Sequence, residues 1–194
     1  MNAENTFETS LWKQLISGDE EAFSLLFEKY YGLLLNYGKT LLGTSDLAKD
    51  CVQDVFVDIW TYRHSLNQDV VIKAYLLSSV RKRIARQYER EHIFLKSKEL
   101  NSVNFLFDFS IEDKIIENET IASKVITLNK HINELPPRQK EALYLRYNQG
   151  LSVTQVSEIL DMNYQSTKNL LHRSILQLRK EYLGPIYIFL FAIS

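Results

Sequence analysis

Apolar residues recur every three or four positions along most of this 194-residue chain, and this spacing constrains the fold more than any other feature. Such spacing places apolar side chains on one face of an α-helix, whereas a half-buried strand needs strict alternation. Six glycines and three prolines leave long stretches without helix breakers. With 45% hydrophobic residues, the chain can bury a core. The sequence therefore predicts a packed all-α protein.

Turn signals divide these apolar stripes into separate helices. Three long helices are predicted in the N-terminal half, beginning near Asp19, Asp46 and Val71, and three such helices can close one small core. Residues 94–110 lose the helical period and are the best candidate for a linker. Helical periods return beyond the linker and continue to about residue 182.

Several classes of protein are excluded by what the sequence lacks. Cys51 is the single cysteine, so no internal disulfide can form, and the histidines show no metal-ligand spacing. No Gly-rich phosphate loop or nucleophile motif is visible. We therefore expect no enzyme activity, no metal or other cofactor and no small-molecule substrate. The four histidines are His64, His92, His131 and His172.

The two ends of the chain bear on its location. The N-terminus has no basic region followed by an apolar core, so no export signal is expected and the cytoplasm is the default location. Residues 186–193 form an uncharged apolar run that is too short to span a bilayer. We expect no stable membrane insertion, and the run is expected to pack on the C-terminal domain.

Charge is distributed in blocks, although the net charge is only −1. Residues 1–62 hold four lysines against ten acidic residues, and residues 73–98 hold eight basic residues against two. Residues 99–135 are acidic again, and residues 136–183 are basic. This alternation indicates different partners for different segments, although chance clustering of solvated charges gives the same pattern.

The acidic and basic blocks each contain one helix with a distinctive face. In residues 46–60, Asp50, Asp54 and Asp58 are spaced by four on the exposed side; such a stripe repels DNA and favours a protein partner with basic residues. Residues 80–90 carry cations around much of a helix whose buried side would use Val80, Ile84 and Tyr88, which favours phosphate binding over a merely solvated face. These cations are Arg81, Lys82, Arg83, Arg86 and Arg90.

Residues 153–182 have the dimensions of a helix-turn-helix: a helix at 153–160, a turn at 161–164 and a second helix from about 165. The solvent side of the second helix carries groups that can bind base edges and phosphates in a major groove. By pattern alone, these residues also fit any helical hairpin. The groups are Gln165, Ser166, Lys168, Asn169, His172 and Arg173.

Two stretches give the chain a resemblance to a known family. DLAKDCVQDVFVDIW at 46–60 resembles the polymerase-binding helix of bacterial RNA polymerase sigma factors of the sigma-70 family, extracytoplasmic-function (ECF) group. LPPRQKEALYLRYNQGLSVTQVSEILDMNYQSTKNLLHRSILQLRKEY at 135–182 is similar to their promoter-reading domain. The resemblance covers about residues 11–182, and its order and spacing make it specific.

The resemblance implies two small helical domains, at residues 8–94 and 118–183, joined by a linker at 95–117 and followed by the apolar tail at 184–194. The first would bind core RNA polymerase and the −10 promoter element and assist DNA melting. The second, with its helix-turn-helix, would read the −35 element. An anti-sigma factor is a further expected partner, and the apolar tail is one place where it could dock.

The resemblance also assigns roles to residues. Polymerase would be bound by Asp50, Gln53, Asp54 and Asp58. The −10 element would be bound by the loop at 62–71 and by Arg81, Lys82, Arg83, Arg86 and Arg90. The −35 element would be bound by Gln165, Ser166, Lys168, Asn169, His172 and Arg173.

Some positions depart from the family pattern. Lys82 and Arg86 stand where Asn and Asp are usual, which leaves the base preference open, and Thr167 stands where valine is common. Asp161 occupies a turn position often filled by glycine, where a positive φ is expected.

Two other functions fit parts of the sequence. A self-sufficient DNA-binding regulator would have no use for the acidic stripe, and an enzyme would need a site that is not visible. Co-purification with core polymerase separates the first alternative from a sigma factor.

Overall fold

The computed structural model describes residues 3–92 and 119–181. Every regular element in these residues is a helix. The chain divides into two units, Met1–Leu100 and Asn101–Ser194. This architecture confirms the predicted all-α fold with two small helical domains. The predicted linker at 95–117 and the apolar tail at 184–194 lie outside the described residues.

Within residues 3–92, the first unit contains four α-helices and one short 3₁₀ turn. They are α1 (Ala3–Ser17), α2 (Glu20–Leu42), α3 (Ser45–Thr61), the 3₁₀ turn (Arg63–Ser65) and α4 (Ile72–His92). The second unit contains α5 (Glu119–Glu134), α6 (Pro137–Leu143), a π-helical turn (Tyr144–Asn148), α7 (Val153–Leu160) and α8 (Tyr164–Glu181).

Helix α2 is bounded by the residues that the sequence marks as its start and stop. The Asp19 carboxylate accepts hydrogen bonds from the backbone N–H groups of Glu21 and Ala22. Gly43 ends the helix in the left-handed region, with φ of 69°. A Cβ at Gly38 would lie 3.2 Å from the Cβ of Ala48, so glycine there permits the close packing of α2 on α3.

Trp12 connects α1 to the loop that precedes α4. Its side chain is buried, its indole N–H donates to the Asn67 carbonyl at 2.9 Å, and its ring packs edge-on against Tyr75 at 5.4 Å. The loop therefore has a fixed backbone contact in its middle. Because Tyr75 lies on α4, the same indole also links the loop to the start of the basic helix.

In the second unit, two basic side chains bind the ends of neighbouring helices. The Arg138 guanidinium donates to the Leu160 carbonyl at 3.2 Å, and the Lys140 ammonium donates to the Asn133 carbonyl at 3.1 Å. Each cation meets the C-terminal end of a helix, where carbonyls lack helical partners. Pro137 occupies the first turn of α6. Arg138 and Lys140 of α6 thus hold the ends of α7 and α5 against this helix.

The helix-turn-helix is formed by α7 and α8. Ser152 and Gln155 make a reciprocal capping box at the start of α7. Asp161 ends α7 with φ of 52°, the positive value expected from the sequence. Helix α8 buries one face in this unit, formed by Thr167, Leu171, Ser174 and Leu178. The apolar pattern of this helix predicts Leu170 and Leu171 in the core; Leu171 is buried, whereas Leu170 is only half-buried.

Candidate nucleic-acid interface

The acidic face of α3, formed by Asp50, Gln53, Asp54 and Asp58, points to solvent. All four side chains are exposed, because the opposite side of the helix is buried through Val52, Val55, Phe56 and Ile59. The helix has no basic residue in its last turn. The structure therefore brings the four predicted residues together on one surface.

Arg83 of α4 reaches this acidic face. One guanidinium nitrogen, Nη2, lies 2.8 Å from Asp58 Oδ2 and 3.7 Å from Asp54 Oδ2. Arg83 is therefore paired with two acidic side chains, a contact that the sequence did not predict. The two carboxylates are about half exposed, so water screens the pairs and each contributes at most about 1 kcal/mol. Their main effect is geometric, since they place the acidic and basic faces side by side.

The other cations of α4 surround a buried stripe. Val80 and Ile84 are fully buried, as predicted, whereas Tyr88 is only half-buried. The rotation of the helix is set by these residues and by its buried first turns. Arg81 is half-exposed, and the remaining cations, Lys82, Arg86 and Arg90, are exposed.

A groove of about 340 Å³ lies between α3, the 3₁₀ turn and α4. Lys82, Arg83 and Arg86 line one side of it, and Tyr62, which is 63% exposed, lines the other. Burial raises the pKa of the Tyr75 phenol in its wall, with a smaller opposing effect from Ser79. The groove can therefore offer positive charge, an aromatic ring and a neutral phenol to one ligand.

Several residues of this groove escape sequence reasoning. Tyr75 and Ser79 carry no charge and lie in a stretch that reads as an ordinary helix, and Leu66 lies in the loop. The useful signal is their spacing from Lys82, since Tyr75 and Ser79 lie seven and three residues before it on the same helical face. A second groove of about 370 Å³ lies beside the acidic face. It is lined by Gln87 of α4 together with Asp50, Gln53 and Asp54.

In the second unit, α8 presents the predicted side chains to solvent. Gln165, Ser166, Lys168, Asn169, His172 and Arg173 are all exposed. The Asn163 carboxamide oxygen accepts from the Ser166 N–H at 2.7 Å and caps the start of the helix. The exposed Tyr164 and Leu176 join this surface, and neither was predicted from the sequence.

These surfaces define a class of protein. A helix-turn-helix with a polar, basic outer face is the usual reader of duplex DNA, and a basic aromatic groove suits a nucleic-acid strand. An acidic face on the same unit repels DNA and suits a protein partner. The chain is thus of the class of two-domain helical DNA-binding proteins.

Comparison with known families specifies the class. Residues 26–92 match Sigma-70 region 2, and residues 128–178 match Sigma-70, region 4. The chain belongs to the sigma-70 family of RNA polymerase sigma factors, and within it to the ECF group.

Individual relatives agree with this assignment. The chain is 22% identical to the ECF RNA polymerase sigma factor SigW of Bacillus subtilis, over 87% of this chain and 93% of that protein. The fold resembles that of CnrH in its complex with the cytosolic domain of CnrY, with a TM-score of 0.59, 16% identity and coverage of 90% and 96%. It also resembles sigma factor RpoE of Bartonella quintana in complex with the anti-sigma factor NepR, with a TM-score of 0.58, 18% identity and coverage of 81% and 94%.

In residues 3–92 and 119–181, no helix is long and apolar enough to cross a membrane. The same residues contain no group of three or more His, Cys, Asp or Glu side chains that could hold a metal ion.

Proposed function

We propose that the chain binds core RNA polymerase through the acidic face of α3 and places the neighbouring basic groove on the −10 element. The observation that carries this proposal is the contact of Arg83 with Asp54 and Asp58, which joins the two surfaces. A polymerase surface bound to α3 would thereby sit next to the DNA-binding groove. Recognition of the partner and capture of DNA are coupled by geometry rather than by a conformational change.

The groove between α3 and α4 suits a separated DNA strand. Lys82 and Arg86 supply charge for phosphates, while Tyr62 offers an exposed ring on which a base can stack. Duplex DNA presents no unstacked base, so these aromatic contacts are made only after melting. The groove would therefore stabilise the opened −10 region and assist melting by binding its product.

In this proposal, α8 enters the major groove of the −35 element. Its exposed face holds amides and cations, and its first turn is fixed by the Asn163 cap. In the same proposal, the chain binds its partners without catalysing a reaction, and it acts in the cytoplasm with RNA polymerase. If the isolated chain cleaved DNA in the presence of a divalent cation, the proposal that it is not an enzyme would be wrong.

An anti-sigma factor is the expected regulator. Of the solved structures named above, sigma factor RpoE is in complex with the anti-sigma factor NepR, and CnrH is in complex with the cytosolic domain of CnrY. We propose that this chain is likewise held inactive by a protein that competes with polymerase for the exposed surfaces of the first unit. Addition of that protein should release the chain from core polymerase.

The experiment is transcription in vitro by core polymerase with the full chain added. We expect initiation at defined promoters, and we expect Asp54→Arg to abolish it because the reversed charge meets a basic partner surface. Glu28→Arg, the same change at an exposed site on α2, serves as the control and should retain activity. Circular dichroism of both variants checks folding. Normal activity of Asp54→Arg, or no co-purification of the wild-type chain with polymerase, would contradict the proposal.

A further inference from the structure

Arg83 belongs to both of the surfaces that meet on the first unit. It lines the groove between α3 and α4 together with Lys82 and Arg86. Its guanidinium nitrogen Nη2 lies 2.8 Å from Asp58 Oδ2 and 3.7 Å from Asp54 Oδ2 on the acidic face. One cation therefore serves two kinds of ligand, the carboxylates of α3 and a phosphate in the groove.

Arg83 can exchange one ligand for the other without movement of the helices. Val80 and Ile84 are fully buried on either side of it, so the rotation of α4 is fixed. The Arg83 side chain is 24% exposed, and those of Asp54 and Asp58 are 59% and 52% exposed. Because water reaches these ion pairs, they are weak enough to open. Rotation about the side-chain bonds then turns the guanidinium toward the groove, which the residue already lines.

While Arg83 is paired, each surface binds its own ligand less well. A basic partner meets two carboxylates whose charge is partly neutralised, and a DNA strand meets a groove with one cation fewer. Binding of either ligand breaks the same ion pairs, so the second ligand no longer has to break them. Each ligand therefore raises the affinity for the other, and linkage requires the two factors to be equal.

We propose that Arg83 is an internal competitor that couples the binding of core polymerase to the binding of the −10 strand. In the free chain, it occupies Asp54 and Asp58 and lowers the affinity of both surfaces. When a basic polymerase surface takes its place, Arg83 binds a phosphate of the strand. This inference rests on the proposed function of the two surfaces. The strength of an exposed ion pair sets the coupling at roughly fivefold, which corresponds to about 1 kcal/mol.

The first test measures the affinity of the full chain for core polymerase with and without a single-stranded −10 oligonucleotide, taken from a promoter found by mapping transcript starts. We expect the oligonucleotide to tighten the binding of the wild-type chain. Without DNA, Arg83→Ala should bind core polymerase roughly fivefold more tightly because the competitor is gone, and the oligonucleotide should then add less. Lys82→Ala, which removes an exposed cation of the same groove, should weaken binding of the oligonucleotide without tightening the binding of core polymerase.

The second test measures binding of the same oligonucleotide to the full chain alone by fluorescence anisotropy. Asp58→Ala should raise the affinity roughly fivefold because it frees the guanidinium. This gain should be largely lost when Arg83→Ala is also present. Asp50→Ala is the matched control, since it removes the same charge from the acidic face eight residues earlier. Its effect should be the same with and without Arg83.

Circular dichroism checks that every variant is folded. Equal or weaker binding of Arg83→Ala to core polymerase would overturn the inference, because Arg83 would then support the acidic face instead of competing for it. An undiminished gain of Asp58→Ala in the Arg83→Ala background would also overturn it, since the charge of the carboxylate alone would explain the effect. If the wild-type chain does not bind core polymerase at all, the proposed function fails instead.

Discussion

Asp161 carries the one positive φ among the described residues other than glycine, at 52°. Its backbone N–H donates to the carbonyls of Glu158 and Ser157, so this conformation ends α7 and starts the turn before α8. Asp tolerates the left-handed region better than most residues, whereas a β-branched side chain does not. The resemblance predicted this conformation, because glycine often fills this turn position in the family.

Asp161→Val should therefore lower the free energy of unfolding by about 1–2 kcal/mol, because a β-branched side chain is strained at this φ. Asp161→Gly should change it by less than about 1 kcal/mol, since relief of strain is offset by greater freedom of the unfolded chain. Urea unfolding of the full chain measures both. Asp161→Asn keeps the tolerance for positive φ and removes only the charge, so a large loss in that variant would argue against a conformational cause.

Tyr144 makes the second unit sensitive to alkaline pH. Burial raises the pKa of its phenol to about 12, against a hydrogen bond to Gln149 that lowers it. A raised pKa means that the neutral phenol stabilises the fold fully below pH 10 and that this contribution is lost as pH rises toward 12. Across this window, we expect the free energy of unfolding of Tyr144→Phe to fall by roughly 2 kcal/mol less than that of the unmodified chain. Unfolding midpoints of both proteins at pH 9 and above provide the measurement; parallel curves would contradict the assignment.

Arg83 and Thr167 show where residue-by-residue prediction stops. The sequence places Arg83 correctly on a basic helix, but its pairing with Asp58 spans 25 residues and depends on how α3 and α4 cross. Thr167 and Ser174 are polar residues in an apolar core, and only the carbonyls of the preceding turn make that burial inexpensive. Both outcomes are set by tertiary packing, which a pattern of single residues does not contain.

At the level of helices, prediction succeeds where capping residues flank the apolar period. Helix α7 spans the predicted residues, Val153–Leu160, because Ser152 caps one end and Asp161 stops the other. The π-helical turn at Tyr144–Asn148 was not predicted. The apolar period runs through it without a breaker, and one extra residue per turn leaves no mark on composition. Helix α1 begins at Ala3, whereas the apolar pattern of the sequence predicts an apolar-faced segment only from Leu11 to Gly18.

The loop at 62–71 depends on α1 for its shape. Trp12→Phe removes the indole N–H that binds the Asn67 carbonyl and reduces the contact with Tyr75. We expect stability to fall by about 1–3 kcal/mol and open-complex formation to slow, because Tyr62 and Leu66 of the groove lie on this loop. Permanganate reactivity of the −10 strand measures melting.

Lys13→Ala, at the exposed neighbour of Trp12 on α1, is the matched control and should melt the promoter normally. Binding of the −35 duplex should be unchanged in both variants, since α8 belongs to the other unit. Normal melting by folded Trp12→Phe would show that the loop does not need its contact with α1.

For the whole molecule, the near-zero net charge arises because acidic and basic segments cancel each other. The acidic face of α3 suits polymerase, while α4 and α8 carry the cations suited to DNA. Charge blocks were visible in the sequence, but the contact between two of them was not. It arises because α4 packs beside α3 and delivers Arg83 to Asp54 and Asp58.

This arrangement predicts that the isolated chain binds duplex promoter DNA weakly, no tighter than about micromolar at physiological salt, because its acidic face repels phosphates. Changing Asp50, Asp54 and Asp58 together to asparagine raises the formal net charge from −1 to +2 and frees Arg83. The triple variant should therefore bind DNA more tightly on its own yet lose affinity for core polymerase. Fluorescence anisotropy across a salt series measures the first effect, and co-purification measures the second. Tight, salt-resistant binding by the unmodified chain would mean that the acidic face does not restrain it, and that promoter affinity does not depend on polymerase covering that face.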